Sequence, residues 1–155
     1  MGVQKEQGGA HYVSLQNHYN LLERAAFEGA VQSLCVDRGI AMTPYYGLAS
    51  GYLTGKYRDD ADLRGGARDG VAANYMKGDG PRVLTALDRV AEQTGASLAQ
   101  IALAWLIAQP GVTAPIASAT SVKQLDDILG ALTLTLSAEQ LAELGDASTP
   151  AKATA

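Results

Sequence analysis

Apolar and polar positions alternate over Tyr12–Gln16 (YVSLQ), the two-residue period of a short half-buried strand, and the polar run Asn17-His18-Tyr19-Asn20 follows it. From Glu23 to Val36 the period lengthens. Ala26, Phe27, Ala30, Val31, Leu34 and Cys35 recur at helical spacing, and Gly39 supplies the stop. Ile40–Thr43, an apolar run held between Gly39 and Pro44, reads as a second strand. Strand, helix and strand joined by short connections form a βαβ unit, so the strands run parallel and a ligand site lies beyond their C-terminal ends.

The segment Arg58–Gly80 is rich in glycine and charge without a clear period, which predicts a surface excursion of the kind that serves as a lid. Helical spacing returns at Arg82–Gln93 in Val83, Leu84, Leu87, Val90 and Ala91, with Pro81 at the first turn and Gly95 as the stop. Ser97 and Gln100 have the spacing of a capping box that opens a helix, ALAWLIAQ, apolar almost all round and therefore buried, and Pro110 ends it. Gly111–Ile116 reads as a third short strand. Ser121 with Gln124 opens a helix through Leu132, and Ser137 with Gln140 opens the last, through Leu144. A polar leader over 1–10, expected to be disordered, and a flexible tail over 149–155 leave one folded unit at 11–148. Three parallel strands with helices outside them are a piece of an α/β sheet that leaves two edges unpaired.

Composition narrows the function classes. The chain is 47% hydrophobic and 18% charged, enough apolar material for one core. Its 12 basic and 16 acidic side chains give a net charge of −4 with no basic run, which argues against nucleic acid and anionic membranes as partners. The single cysteine, Cys35, forms no internal disulfide and sits in a helical pattern as a small core hydrophobe. No long apolar span or secretory leader is present, so a cytoplasmic setting is expected. No group of side chains has the spacing of a metal site.

The chemistry is expected in the loop YYGLASGYLTGKY, Tyr45–Tyr57, a Gly/Ser-rich segment with paired tyrosines at the C-terminal end of a strand. Two motifs within it fail. Tyr52 and Lys56 are spaced like a tyrosine acid and its lysine, but that pairing needs a helix that Gly51 and Gly55 break. Gly55-Lys56 is spaced like a phosphate loop, but Ser50 stands where its first glycine belongs and Tyr57 where a metal-binding hydroxyl belongs.

Taken in order, YVSLQNHYNLLER (12–24), GIAMTPYYGLASGYLTGKYR (39–58), SLAQIALAWLIAQPGV (97–112) and PIASATSVKQLDDILGAL (115–132) resemble the C-terminal half of the aldo-keto reductases. The resemblance implies a partial (β/α)8 TIM barrel, roughly the last three β/α units with extra helices. It also implies NAD(P)H-dependent reduction of an aldehyde or ketone. On this resemblance Gln16 hydrogen-bonds the nicotinamide carboxamide, although a polar residue at a strand end needs no ligand to explain it. Tyr45 stacks on the nicotinamide face, its alternative being a core tyrosine. Leu48, Ser50 and Gly51 follow the pyrophosphate, and Ser118, Thr120, Gln124 and Asp127 surround the adenosine phosphate and adenine. Gln124 also has an explanation without ligand, as the third residue of a capping box.

The implied cofactor is NADP(H), with NAD(H) as the alternative, because Ser118 and Gln124 stand where a lysine and an arginine frequently do. The family's catalytic aspartate, tyrosine, lysine and histidine belong to the first half of the barrel, so no catalytic residue is assigned here. His11 and His18 read as surface or loop residues. The expectation is an oxidoreductase-family fragment that carries the cofactor loops, is inactive alone, and pairs with a separate N-terminal half or with itself. The alternatives are a non-catalytic nicotinamide-nucleotide-binding or interaction module and an α/β protein whose loop only mimics the family.

Overall fold

The computed structural model describes residue 8, residues 10–66 and residues 68–149. Apart from Gly8, Ala10 and Thr149, the expected leader and tail lie outside these residues. Among the described residues the chain runs β1 (Ser14–Leu15), α1 (Ala30–Arg38), β2 (Ala41–Met42), two 3-10 segments (Ala49–Thr54 and Asp60–Asp62), α2 (Asp69–Lys77), α3 (Gly80–Thr94), α4 (Leu98–Ile107), α5 (Val122–Gly130) and α6 (Ala138–Ala147).

The strands β1 and β2 pair in parallel, Ser14 against Ala41 and Leu15 against Met42. The expected third strand is reduced to one parallel bridge, Met42 to Val112, although Met42 N donates to Gly111 O, Thr113 N to Met42 O and Ile116 N to Pro44 O. Three extended segments therefore lie side by side in the order 12–18, 40–45, 111–116. Pro110 and Pro115 explain the short ladder, since neither brings an amide to it.

Two expectations need correction. The helix placed at Glu23–Val36 begins only at Ala30, because Gly29 at φ 87° breaks the helical path and residues 25–29 form turns. In the resulting register Cys35 is the one buried residue of α1, while Val31, Leu34 and Val36 are exposed. Burial pushes the Cys35 thiol up, in keeping with an inert core residue. Nor is Arg58–Gly80 a structureless excursion. It contains α2, which packs on the 3-10 segment 49–54 and on α3, buries Ala72 and sets Tyr75 against Tyr52 with ring centroids 5.7 Å apart. Gly80 permits that contact: a side chain there would collide with the Tyr75 carbonyl and the Tyr52 hydroxyl.

The core is built on α4, buried from Ile101 through Leu106, with Tyr19, Phe27, Met42, Leu53, Leu87 and Leu144 around it. Both capping boxes expected at Ser97/Gln100 and Ser137/Gln140 form. That at Ser121 is only half present. Ser121 accepts from Gln124 N at 3.2 Å, but the Gln124 side chain turns to the Thr120 amide and hydroxyl at 2.8 and 2.9 Å. No described helix is long and apolar enough to cross a membrane.

Candidate functional site

Beyond the C-terminal end of β2 the backbone leaves the strand through a strained turn. Tyr46, Ala49 and Ser50 have φ of 56°, 48° and 57°, a left-handed conformation that costs non-glycine residues on the order of 1–3 kcal/mol each. A Tyr46 carbonyl accepting from Ala49 N at 2.8 Å and a Leu48 carbonyl accepting from Gly51 N at 2.8 Å close it tightly. Opposite this turn runs the extended segment Ile116–Ser118. Between them opens a cleft of about 250 Å³ walled by Tyr45, Tyr46, Gly47, Leu48, Ser50 and Gly51 on one side and Ile116, Ala117 and Ser118 on the other. Arg68, at the start of α2, closes a third side.

Five of the nine residues expected to hold a nucleotide, Tyr45, Leu48, Ser50, Gly51 and Ser118, share this lining. The other four do not. Gln16 is exposed on the segment that leads from β1 to the parallel bridge His18–Tyr45. Thr120, just before α5, and Gln124, in its first turn, are bonded to each other, and Asp127 Oδ1 accepts from the Ser97 hydroxyl at 2.6 Å. The Tyr45 ring is backed by His18, stacked at 5.2 Å with an interplanar angle of 18°, and met edge-on by Tyr46 at 5.2 Å.

Two cations lie at the cleft or beside it. Arg68 escaped sequence reasoning because its segment was read as an excursion, yet Val71, Ala72, Tyr75 and Met76 carry the helical spacing that would have placed it at a helix start. The Lys56 side chain lies against Gly51, where an added Cβ would come within 3.2 Å of Nζ, and its ammonium sits 4.8 Å from the Tyr57 ring centroid. Tyr52, the other half of the rejected Tyr52–Lys56 motif, is buried, and burial raises its phenol. The loop's far end is tied down by Arg58, whose guanidinium meets both Asp88 carboxylate oxygens at 2.7 Å and holds that carboxyl below its usual range.

An aromatic face, small residues that bring the backbone close, hydroxyls and a guanidinium are a donor set for a phosphorylated, planar-ringed ligand. Among the described residues no hydrogen bond joins the Tyr45 or Tyr46 hydroxyl to a charged side chain, and no group of three or more His, Cys, Asp or Glu residues could hold a metal.

The chain is similar to L-glyceraldehyde 3-phosphate reductase of Escherichia coli O157:H7, 33% identical over 138 residues that cover 83% of this chain and 39% of the relative. It is also similar to a probable voltage-gated potassium channel subunit beta of Arabidopsis thaliana, 33% identical over 122 residues covering 76% of this chain and 37% of the relative. The chain thus spans well under half the length of these relatives. Among solved structures, a thermostable aldo-keto reductase in complex with the inhibitor epalrestat superposes with a TM-score of 0.67 at 24% identity, over 94% of this chain and 42% of that one, a likeness of fold. The aldo/keto reductase family matches residues 1–148, and the chain belongs to that family.

Proposed function

We infer that this chain is the nicotinamide-nucleotide-binding portion of an aldo/keto reductase, its three parallel segments and their helices forming part of a (β/α)8 barrel over residues 11–148. The observation that carries the reading is the convergence of Tyr45–Gly51, Arg68 and Ile116–Ser118 on one cleft at the C-terminal end of β2. The bound nucleotide supplies or accepts hydride; the ligand is NADP(H), with NAD(H) as the alternative. Tyr45, fixed from behind by His18, orients the nicotinamide ring, and the narrow turn at Leu48–Gly51 follows the phosphates. Arg68 and Lys56 offset their charge. Ser118, Thr120 and Gln124 bind toward the adenosine, while Gln16 reaches the carboxamide and Asp127 the adenine only if their side chains turn from the positions described above.

The parent reaction is reduction of an aldehyde or ketone. A carbonyl that receives hydride needs a proton donor at its oxygen. In the family the acid belongs to the first half of the barrel, and among the described residues neither cleft phenol is hydrogen-bonded to a lysine or a histidine. Exposed Tyr12 and Val13 at the β1 edge, and Leu125 and Leu129 on α5 with Leu132 just after it, support covering of these apolar surfaces by an N-terminal half-barrel or by a second copy. Similarity to proteins named as probable channel β subunits supports a second reading, a nucleotide-binding interaction module without catalysis.

Titration of the purified chain with NADPH, followed by the nucleotide's own fluorescence, gives saturable binding, and adenosine alone binds far more weakly. Arg68→Ala raises the NADPH Kd by about fivefold, as expected for a partly solvated charge-assisted contact near 1 kcal/mol. An unmodified, folded chain that binds no nicotinamide nucleotide contradicts the proposal.

A further inference from the structure

The Tyr46 side chain, 57% exposed, gives the strained turn only edge-on ring contacts with Tyr45 and His18. What reaches it is Asn20, a fully buried carboxamide from the turn after β1. Its Nδ2 donates to the Tyr46 carbonyl at 2.9 Å and lies 3.4 Å from His18 Nε2. Its Oδ1 accepts from Leu22 N at 2.8 Å and Glu23 N at 3.1 Å, so both ends of the amide are engaged. One buried group therefore ties a reverse turn to a carbonyl 26 residues away. That carbonyl already closes the loop by accepting from Ala49 N, and it follows directly on Tyr45.

Building on the nucleotide-binding reading above, we propose that Asn20 is the positioning residue of the nicotinamide end of the cleft: it holds the Tyr46 peptide in its left-handed conformation and so fixes the Tyr45 ring between His18 and the ligand. A non-glycine residue in that conformation needs surrounding structure to over-determine it. The buried donor bond supplies this constraint from outside the loop. The adenosine end, built from Ser118 to Gln124, is independent of it.

The test uses the full chain and two ligands. Asn20→Ala raises the NADPH Kd about tenfold, the effect expected where the buried bond to the Tyr46 carbonyl is lost. Binding of adenosine 2′,5′-bisphosphate changes less than about twofold, since that probe lacks the nicotinamide half. In a Tyr46→Gly background, where the left-handed conformation costs little, the same substitution costs about threefold or less. Asn20→Asp keeps an acceptor for Leu22 and Glu23 and loses the carboxamide donor, so it separates the loop bond from the turn.

Hydrogen exchange without ligand reads the loop directly. The Ala49 and Gly51 amides exchange about tenfold faster in Asn20→Ala while the Ile101 and Leu103 amides keep their protection. Equal weakening of both ligands, an equal cost in the two Tyr46 backgrounds, or unchanged Ala49 exchange overturns the proposal. An unmodified chain that fails to bind NADPH sinks the nucleotide reading and the ligand-positioning role together, and exchange at Ala49 then decides whether Asn20 still holds the loop.

Discussion

Replacing Arg24 with alanine lowers the unfolding free energy by about 3 kcal/mol, measured by urea denaturation, because it strands the part-buried Glu28 and Gly145 carbonyl and the buried Ser148 at once. Arg24 Nε lies 2.7 Å from Glu28 Oε1, and its Nη1 donates at 2.7 Å to both the Gly145 carbonyl and the Ser148 hydroxyl. The guanidinium carbon sits 5.6 Å from the Trp105 ring centroid, over the largest core side chain. Glu28 also accepts from the buried Tyr19 hydroxyl at 2.8 Å. Without the cation, a carboxylate is left beside an apolar core with only a phenol for company, and α6 loses its tie to the turn after β1. The Arg24 side chain retains 20% exposure, which keeps the effect at the lower end for a broken buried pair. Lysine does not rescue it, since an ammonium cannot serve Glu28, Gly145 and the Trp105 face from one plane.

The second large effect is alkaline. Burial, reinforced by Glu28, raises the Tyr19 phenol well above its ordinary value, and burial with Glu23, whose carboxylate accepts from the hydroxyl at 3.3 Å, pushes Tyr75 up to about 12. Both groups are raised in the folded state, so their contribution to stability is complete below the unfolded value near 10 and is lost as pH climbs above it. The contribution of these two phenols to the urea midpoint is therefore flat from neutral pH to about 10 and then falls through about 12, where Tyr75 ionises in the folded chain, after a smaller earlier decline from the buried Cys35 thiol. Tyr75→Phe removes part of that slope and Tyr19→Phe more of it. A midpoint that rose, or stayed level, between 10 and 12 would contradict these assignments.

The helical part of the fold was legible where local chemistry was strong. Serine followed three residues later by glutamine marked the starts of α4 and α6, glycine marked the ends of α1 and α3, and the unbroken apolar run of α4 foretold its burial. What failed was the reading of tertiary effects. The apolar spacing over 23–36 looked like one helix because periodicity ignores a glycine at φ 87°, and the 58–80 segment looked shapeless because its glycines outweighed the short stripe that docks α2. The tyrosine-and-glycine loop pointed to the cleft from sequence alone. Arg68 and Asn20 did not stand out, since one stands at the start of a helix whose short stripe was outweighed by its glycines, and the other works through a backbone carbonyl and leaves no spacing to read.

The central claim is that the cleft between Tyr45–Gly51 and Ile116–Ser118 receives the nicotinamide nucleotide. Intermolecular nuclear Overhauser effects between bound NADP and the isotope-labelled chain test it most directly. The account predicts contacts from the nicotinamide ring protons to the Tyr45 ring and from the adenosine ribose to the Ser118–Thr120 segment. Contacts that place the nicotinamide away from Tyr45, or saturable binding with no contact to either wall of the cleft, would contradict it.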